Sequence, residues 1–422
     1  MKLTEIAEEL RWRGLLQDLS DPELFEKLRA GDGFYCGFDP TAPSLHLGNL
    51  QQIIVGLHLA RAGLKPIMLF GGATGAIGDP SGRRAERQLL DQSTIDANVE
   101  RHRTKINEIF TRHDLKADYV NNLDWTKGVD IITFLREVGK HFSVNYMLAK
   151  EWVRARLEAE GISFTEFCYI LLQSYDFLHL YQHNNCKLQF GGSDQWGNIT
   201  GGLELIRRKI GGEAYAFSVS LILDSEGKKL GKSEGGGGVW IDAEHMSPYR
   251  FHQYFLNCAD ADVVGLLKRL TFLPREQIVE LERATQNSPD KREAQRVLAD
   301  TLCTLVHGAT ATEEALRAAR VLFGGSLDGI SEQSLVQIFA EVPSSSVPRK
   351  ELETLAIADL FVKAGLSSSK SEARKLVQNG GAYLNNERVE DAQLKLAGHA
   401  ALTKSIMILR SGKKSYHLVR VT

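Results

Sequence analysis

Two segments carry residues able to do phosphate chemistry. His46-Leu47-Gly48-Asn49 stands where a helix opens after a strand-like run, and Lys229-Leu230-Gly231-Lys232-Ser233 sets two lysines and a serine on a glycine-hinged loop. At a helix start the backbone N–H groups and the dipole favour a phosphate, and an imidazole adds a donor. Gly48 lets a flat adenine approach the backbone. Lys229 and Lys232 are flexible ammonium groups suited to a pyrophosphate leaving group. Taken singly, the first segment reads as a helix start with a surface histidine and the second as a solvated turn. Taken together and in this order, they imply a site that binds ATP and splits it at the α-phosphate.

A third feature is the helix expected after Gly161. Ser163-Phe164-Thr165-Glu166 fits a capping box. Tyr169, Gln173 and Asp176 then fall at i, i+4 and i+7, on one face of a helix otherwise rich in Phe, Ile and Leu. An acid among apolar neighbours needs a partner, so this face reads as a pocket wall in preference to an exposed polar stripe. The glycine-rich turns at Gly71 and Gly191 either present backbone N–H groups to a nucleotide or simply join strand to helix; the sequence leaves both open. His179, His183 and Cys186 have a metal-like spacing, but no matching fourth ligand follows. A helix end in solvent is the simpler reading, and no metal is assigned to the protein itself.

The elements that must position these residues repeat one pattern. Phe34–Phe38, Pro66–Phe70 and Lys187–Phe190 are short apolar runs, each followed by a Gly/Asp-rich turn and a helix. Strands alternating with helices predict a doubly wound parallel sheet, with ligands beyond the carboxyl ends of the strands. From Ser247 to Phe323 the pattern turns helical, punctuated by Pro248, Pro274 and Pro289. Pro343-Ser344-Ser345-Ser346-Val347-Pro348 reads as a linker. Beyond it, Asp359–Ala364 is a helix ending at Gly365, Ser371–Gln378 a basic helix, and Ala382–Leu384 and Ile406–Leu409 strands.

The 422 residues suffice for two or three domains. No apolar run reaches the ~20 residues of a membrane span, and Met1–Leu10 lacks the apolar core of a signal peptide. Five scattered cysteines with no C-x-x-C pair favour a reducing, intracellular compartment. Residues 351–422 hold 11 Lys and Arg against 7 Asp and Glu, while the remaining 350 hold 40 against 46. A basic tail on an acidic body suits a polyanion partner as well as it suits ordinary surface.

The residues resemble a class I aminoacyl-tRNA synthetase, and specifically the bacterial-type tyrosyl-tRNA synthetase family. Five segments carry the resemblance in order: Tyr35-Cys36-Gly37-Phe38-Asp39-Pro40-Thr41, His46-Leu47-Gly48-Asn49, Gly71-Gly72-Ala73-Thr74-Gly75, Gly191-Gly192-Ser193-Asp194-Gln195-Trp196-Gly197-Asn198 and Lys229-Leu230-Gly231-Lys232-Ser233. It implies a Rossmann-like catalytic domain (1–246), a helical anticodon-binding domain (247–342), a linker (343–350) and a small α+β, S4-like RNA-binding domain (351–422). It also implies a cytoplasmic homodimer acting on ATP with Mg²⁺, L-tyrosine and the tyrosine tRNA, with Val129–Leu135 and Phe142–Leu148 as interface segments. Carried over by position, Tyr35 and Asp176 bond the substrate phenol, and Tyr169, Gln173 and Asp79 its ammonium. Thr41, His46, Asn49, Lys229 and Lys232 act at the phosphates. Gly37, Asp39, Gly192 and Asp194 line the nucleotide, Gln195 reaches ribose and substrate, and Lys370, Arg374, Lys375, Lys413 and Lys414 meet RNA. Two departures stand out: Asn49 replaces the second histidine of the HIGH signature, and Leu230-Gly231 replaces Met-Ser in KMSKS. An amide at position 49 still donates to a phosphate or ribose. A tryptophan-activating enzyme and a non-catalytic RNA-binding descendant are the rival readings. Asp176 facing Tyr35 favours a phenol over an indole, and His46, Lys229 and Lys232 favour an enzyme.

Overall fold

A computed structural model describes residues 2–81, 89–158, 161–230, 238–322, 332–339, 342–396, 405–412 and 415–422. Lys232, Ser233, Lys413 and Lys414, expected at functional positions, lie outside the described residues. The chain divides into two compact units, residues 1–246 with 255–306 and residues 247–254 with 307–422.

The first unit is built on five parallel strands: β1 (Gly33–Phe38), β2 (Lys65–Phe70), β3 (Asp118–Asn121), β4 (Cys186–Gly192) and β5 (Tyr215–Val219). Their order is β3-β2-β1-β4-β5, so the winding reverses between β1 and β4. That reversal opens a crevice at the carboxyl edge, where such sheets bind ligands. Strands β1, β2 and β5 read as nearly unbroken apolar runs because helices cover both faces. Four helices matter for the site: α1 (Leu47–Arg61), α2 (Gln92–Arg112), α3 (Phe164–His183) and α4 (Trp196–Ile210). Helix α1 buries Leu47, Leu50, Ile53, Ile54, Leu57 and Leu59, more than one face, as a helix enclosed by structure must.

The region after Ser247 is helical, as expected, and includes α5 (Asp260–Leu270), α6 (Arg275–Asn287) and α7 (Ala309–Leu322). Helix α5 is fixed in the first unit by Arg13. Its buried guanidinium donates to the carbonyls of Lys268 (2.9 Å), Thr271 (2.7 Å) and Leu273 (2.8 Å), supplying a cation and donors where a helix end needs them.

In the second unit Ser344–Val347 is a strand, β6, and not the linker that its Pro/Ser composition predicts. It pairs in parallel with β10 (Ser415–Val421), and the sheet continues through β9 (Ile406–Ser411) and β7 (Ala382–Leu384) to β8 (Glu387–Arg388), in the order β6-β10-β9-β7-β8. Ladder hydrogen bonds to β10 override a weak strand propensity. One face of this sheet packs on Ile357, Leu360 and Phe361 of α8 (Ile357–Lys363) and on Ala373 and Val377 of α9 (Lys370–Gln378). A second cluster joins Ala318, Leu335, Ile338 and Phe339 to Ile406, Ile408, Tyr416 and Leu418. Gly365, at φ +71°, closes the expected helix end.

Candidate active site

A cleft of about 570 Å³ opens at the crevice between β1 and β4. It is lined by Tyr35, Gly37, Asp39, Thr41, His46, Asn49, Asp79, Tyr169, Gln173, Asp176, Gly192, Asp194, Gln195 and Lys229. Every small-molecule candidate that the structure describes is thus brought to one place. The RNA candidates Lys370, Arg374 and Lys375 are exposed on α9, which belongs to the second unit.

The deep end is set by α3. Tyr169 and Asp176 are 4 % and 2 % exposed, and Gln173 lies between them on the same face. Asp176 accepts hydrogen bonds from Asn122 Nδ2 (3.0 Å) and Trp125 Nε1 (2.9 Å), and the indole of Trp125 stacks on His179. Even so, burial pushes the Asp176 carboxyl up to about 7. Tyr35 Oη, on β1, has no hydrogen-bond partner among the described residues; burial first, and then the Asp176 charge, hold its pKa well above the usual range. A buried hydroxyl left unbonded costs ~1–3 kcal/mol, which a substrate group arriving between Tyr35 and Asp176 would offset.

Next along the cleft, Asp39 accepts from Tyr169 Oη (2.7 Å) and Thr74 Oγ1 (2.8 Å). Asp79 accepts from Gln195 Nε2 and from the Ser81 N–H. Burial, reinforced by the Asp39 charge, pushes Asp79 up to about 6. Below that pH the carboxyl is neutral and cannot pair with an ammonium. The kcat/KM for a substrate that carries an ammonium group should therefore fall on an acid limb near pH 6, by up to tenfold per unit. Asp79→Asn should lower kcat/KM and flatten that limb, as pH–rate profiles of the two proteins will report.

At the other end His46 is the N-cap of α1. Its Nδ1 accepts the N–H groups of Gly48 (3.1 Å) and Asn49 (3.4 Å), while Asn49 Oδ1 accepts the His46 N–H (3.0 Å). The reciprocal cap corrects one expectation: these two N–H groups bond to the imidazole instead of standing open to a phosphate. A neutral ring accepting at Nδ1 carries its proton on Nε2, so the donor is the imidazole itself. Lys229 Nζ lies 3.4 Å from Asp194 Oδ2. A Cβ at Gly192 would come within 2.7 Å of Asp194 Oδ1, so a larger residue there would displace that carboxylate.

One open reading is decided and two further expectations change. The turn at Gly71 is a connection and not a nucleotide cradle. Its N–H groups bond to Phe38 O, Asn121 Oδ1 and Asn122 Oδ1, and a Cβ at Gly71 would strike Asp39. The capping box at Ser163 is half made, because Glu166 turns away into a buried two-point ion pair with Arg156 (2.8 Å each). Among the residues with metal-like spacing, His183 at the helix end is exposed as expected, but Cys186 is buried in β4 and His179 is half-buried against Trp125. Sequence reading missed Asn122 and Trp125, which follow an edge strand of four residues, and Gln189, a cleft-lining amide 2 % exposed. A polar residue inside the apolar run 187–190 was the signal for Gln189.

Residues 31–324 match the family model of tRNA synthetases class I (W and Y). The chain belongs to that family. Residues 334–419 of this synthetase match the model described as the tyrosine–tRNA ligase SYY-like C-terminal domain. A tyrosine–tRNA ligase of Roseiflexus castenholzii is 45% identical over 99% of the synthetase and 100% of that protein. One of Bacillus caldotenax is 46% identical over 99% of each. The crystal structure of a C-terminally truncated Aspergillus nidulans mitochondrial tyrosyl-tRNA synthetase superposes with TM-score 0.65 at 28% identity, covering 76% of this chain and 97% of that one.

Proposed function

We infer that the synthetase is a tyrosine–tRNA ligase, which joins L-tyrosine to ATP and then passes the tyrosyl group to the 3′ end of its tRNA. The observation that carries this reading is the pair of Asp176, oriented by two N–H donors, and Tyr35, whose buried hydroxyl has no partner among the described residues. Such a pair suits a phenol, whereas the single N–H of an indole could satisfy Asp176 but not also Tyr35. Asp79 and Gln173 take the substrate ammonium. Tyr169 acts partly through Asp39, to which its hydroxyl already donates.

The substrate carboxylate is ionised, so the first step needs no general base. Its oxygen attacks the α-phosphorus, the bond from α-phosphorus to the bridging oxygen breaks, and pyrophosphate leaves with Mg²⁺ that entered with ATP. His46 Nε2–H and the Lys229 and Lys232 ammonium groups stabilise the developing charge; Thr41 and Asn49 bond the phosphates or ribose, and Gly37, Gly192 and Asp194 hold the nucleoside. Catalysis is positioning plus charge stabilisation. A ribose hydroxyl at the 3′ end of the tRNA then attacks the tyrosyl carbonyl, its proton passes to the phosphate of the departing AMP, and the bond from the carbonyl carbon to the phosphate oxygen breaks. Pyrophosphate exchange with each amino acid tests the reading: tyrosine alone should support rapid exchange, and equal rates with tryptophan would overturn it.

The reading includes a cytoplasmic homodimer. Ile131, Ile132, Leu135, Val144 and Phe164 are exposed, the last at 77 %, and exposed large apolar side chains suit a second copy of the chain. The expected segments 129–135 and 142–148 supply four of the five. Ile132→Asp with Phe164→Asp should give a monomer in sedimentation; a double variant that still sediments as the dimer removes this interface.

A further inference from the structure

The segment carrying Lys229 is a hairpin. Leu223 and Lys229 pair as an antiparallel bridge, Leu230 N–H donates to Ile222 O (2.9 Å), and Asp224 N–H donates to Lys228 O (2.8 Å). At the turn, Asp224 Oδ1 accepts from Glu226 and Lys228 N–H, and Gly227 takes φ +79°. Leu221, Ile222, Lys229 and Leu230 all line the cleft. Ile222 is buried, but Leu223 is 47 % exposed, so apolar packing does little to fix the outer half of the hairpin.

What fixes it is α5. Arg269 Nη1 donates to Leu221 O (3.1 Å), where the chain enters the hairpin, and Asp262 Oδ1 accepts the Ser225 N–H (2.8 Å) at its tip. Residues 262 and 269 are seven apart, hence on one face of the helix and ~10 Å apart along its axis. Helix α5 is itself anchored through Arg13. An acidic residue in the first turn of a helix would ordinarily serve only the helix dipole. Here its carboxylate also reaches across 37 residues to a backbone donor in the cleft hairpin.

We propose that Asp262 and Arg269 are positioning residues for adenylate formation, holding the Lys229 hairpin from the helical region. The proposal rests on reading Lys229 as a pyrophosphate contact. The lysine must lie near the leaving group only in the transition state, so loosening the hairpin lowers the rate more than it lowers tyrosine binding.

The test uses the full-length protein. Asp262→Ala should reduce kcat for pyrophosphate exchange about tenfold, the usual weight of one hydrogen bond to a charged group. Tyrosine affinity and the melting temperature should be nearly unchanged. Asp262→Asn keeps the accepting oxygen and should restore the rate to within about twofold. Adding Asp262→Ala to Lys229→Ala should cost nothing further, since residues acting as one unit are non-additive. If Lys229→Ala leaves the rate intact, the lysine reading fails and takes the proposal with it. If Lys229→Ala slows exchange but Asp262→Ala does not, the clamp alone is refuted. A loss of rate, tyrosine affinity and melting temperature together would make Asp262 a structural residue and overturn the proposal.

Discussion

Asp176→Ala should collapse the selection of tyrosine over phenylalanine. The two amino acids differ by one hydroxyl, and an apolar pocket distinguishes such a pair by no more than ~10². Rejection beyond that comes from polar groups left unpaired when the wrong substrate binds. Tyrosine-specific synthetases are themselves the established example, at ~10⁵, so that size comes from the family and not from this geometry. With phenylalanine bound, Tyr35 Oη and Asp176 would both stay buried without their ligand partner. Removing the carboxylate removes most of that penalty, and it frees Asn122 Nδ2 and Trp125 Nε1 from the acceptor they now share. The ratio of kcat/KM for tyrosine to that for phenylalanine, read by pyrophosphate exchange, should fall roughly 10³-fold, to about the apolar limit. Most of the loss should be in the tyrosine term. An unaltered ratio would sink the assignment of this wall.

That wall was legible because a helix obeys one period. Tyr169, Gln173 and Asp176 share a face by spacing alone, and His46 was recognisable as a helix start. Groups that depend on distant chain were not legible. Asn122 and Trp125 reach Asp176 from the end of β3, whose four half-buried residues carry too little pattern to read as a strand. Glu166 fits a capping motif locally, but Arg156 offers a buried two-point partner that outweighs it. Ser344–Val347 lacks strand propensity and becomes a strand because β10 supplies its hydrogen bonds from seventy residues away. Nor does the helical stretch after Ser247 reveal its division: α5 and α6 belong to the first unit, whereas Ala318 of α7 packs on strands beyond residue 405. The two ties from α5 to the Lys229 hairpin are invisible for the same reason.

Charge removal on α9 should separate activation from charging. The composition of 343–350 suggests cutting the chain there, but a cut after Ser346 would split β6 and strip Leu335, Ile338 and Phe339 of the strands they pack on. Substitution is cleaner. Lys370, Arg374 and Lys375 are exposed on a helix whose buried residues are Ala373 and Val377. Replacing all three with alanine should leave the melting temperature and pyrophosphate exchange nearly unchanged. Tyrosylation of tRNA should weaken, because each phosphate contact contributes a slope of ~0.7–0.9 in log affinity against log salt. Near 0.1 M salt, losing two or three such contacts costs roughly 30- to 300-fold in tRNA affinity. The lower figure is the better expectation, since Lys370 already pairs with Asp359 at 2.6 Å and must give up that partner to meet a phosphate. The salt dependence of binding should flatten by ~2 units of slope at the same time. Should the triple variant bind and charge tRNA with the original slope, α9 does not face RNA, and the basic surface of the second unit serves another purpose.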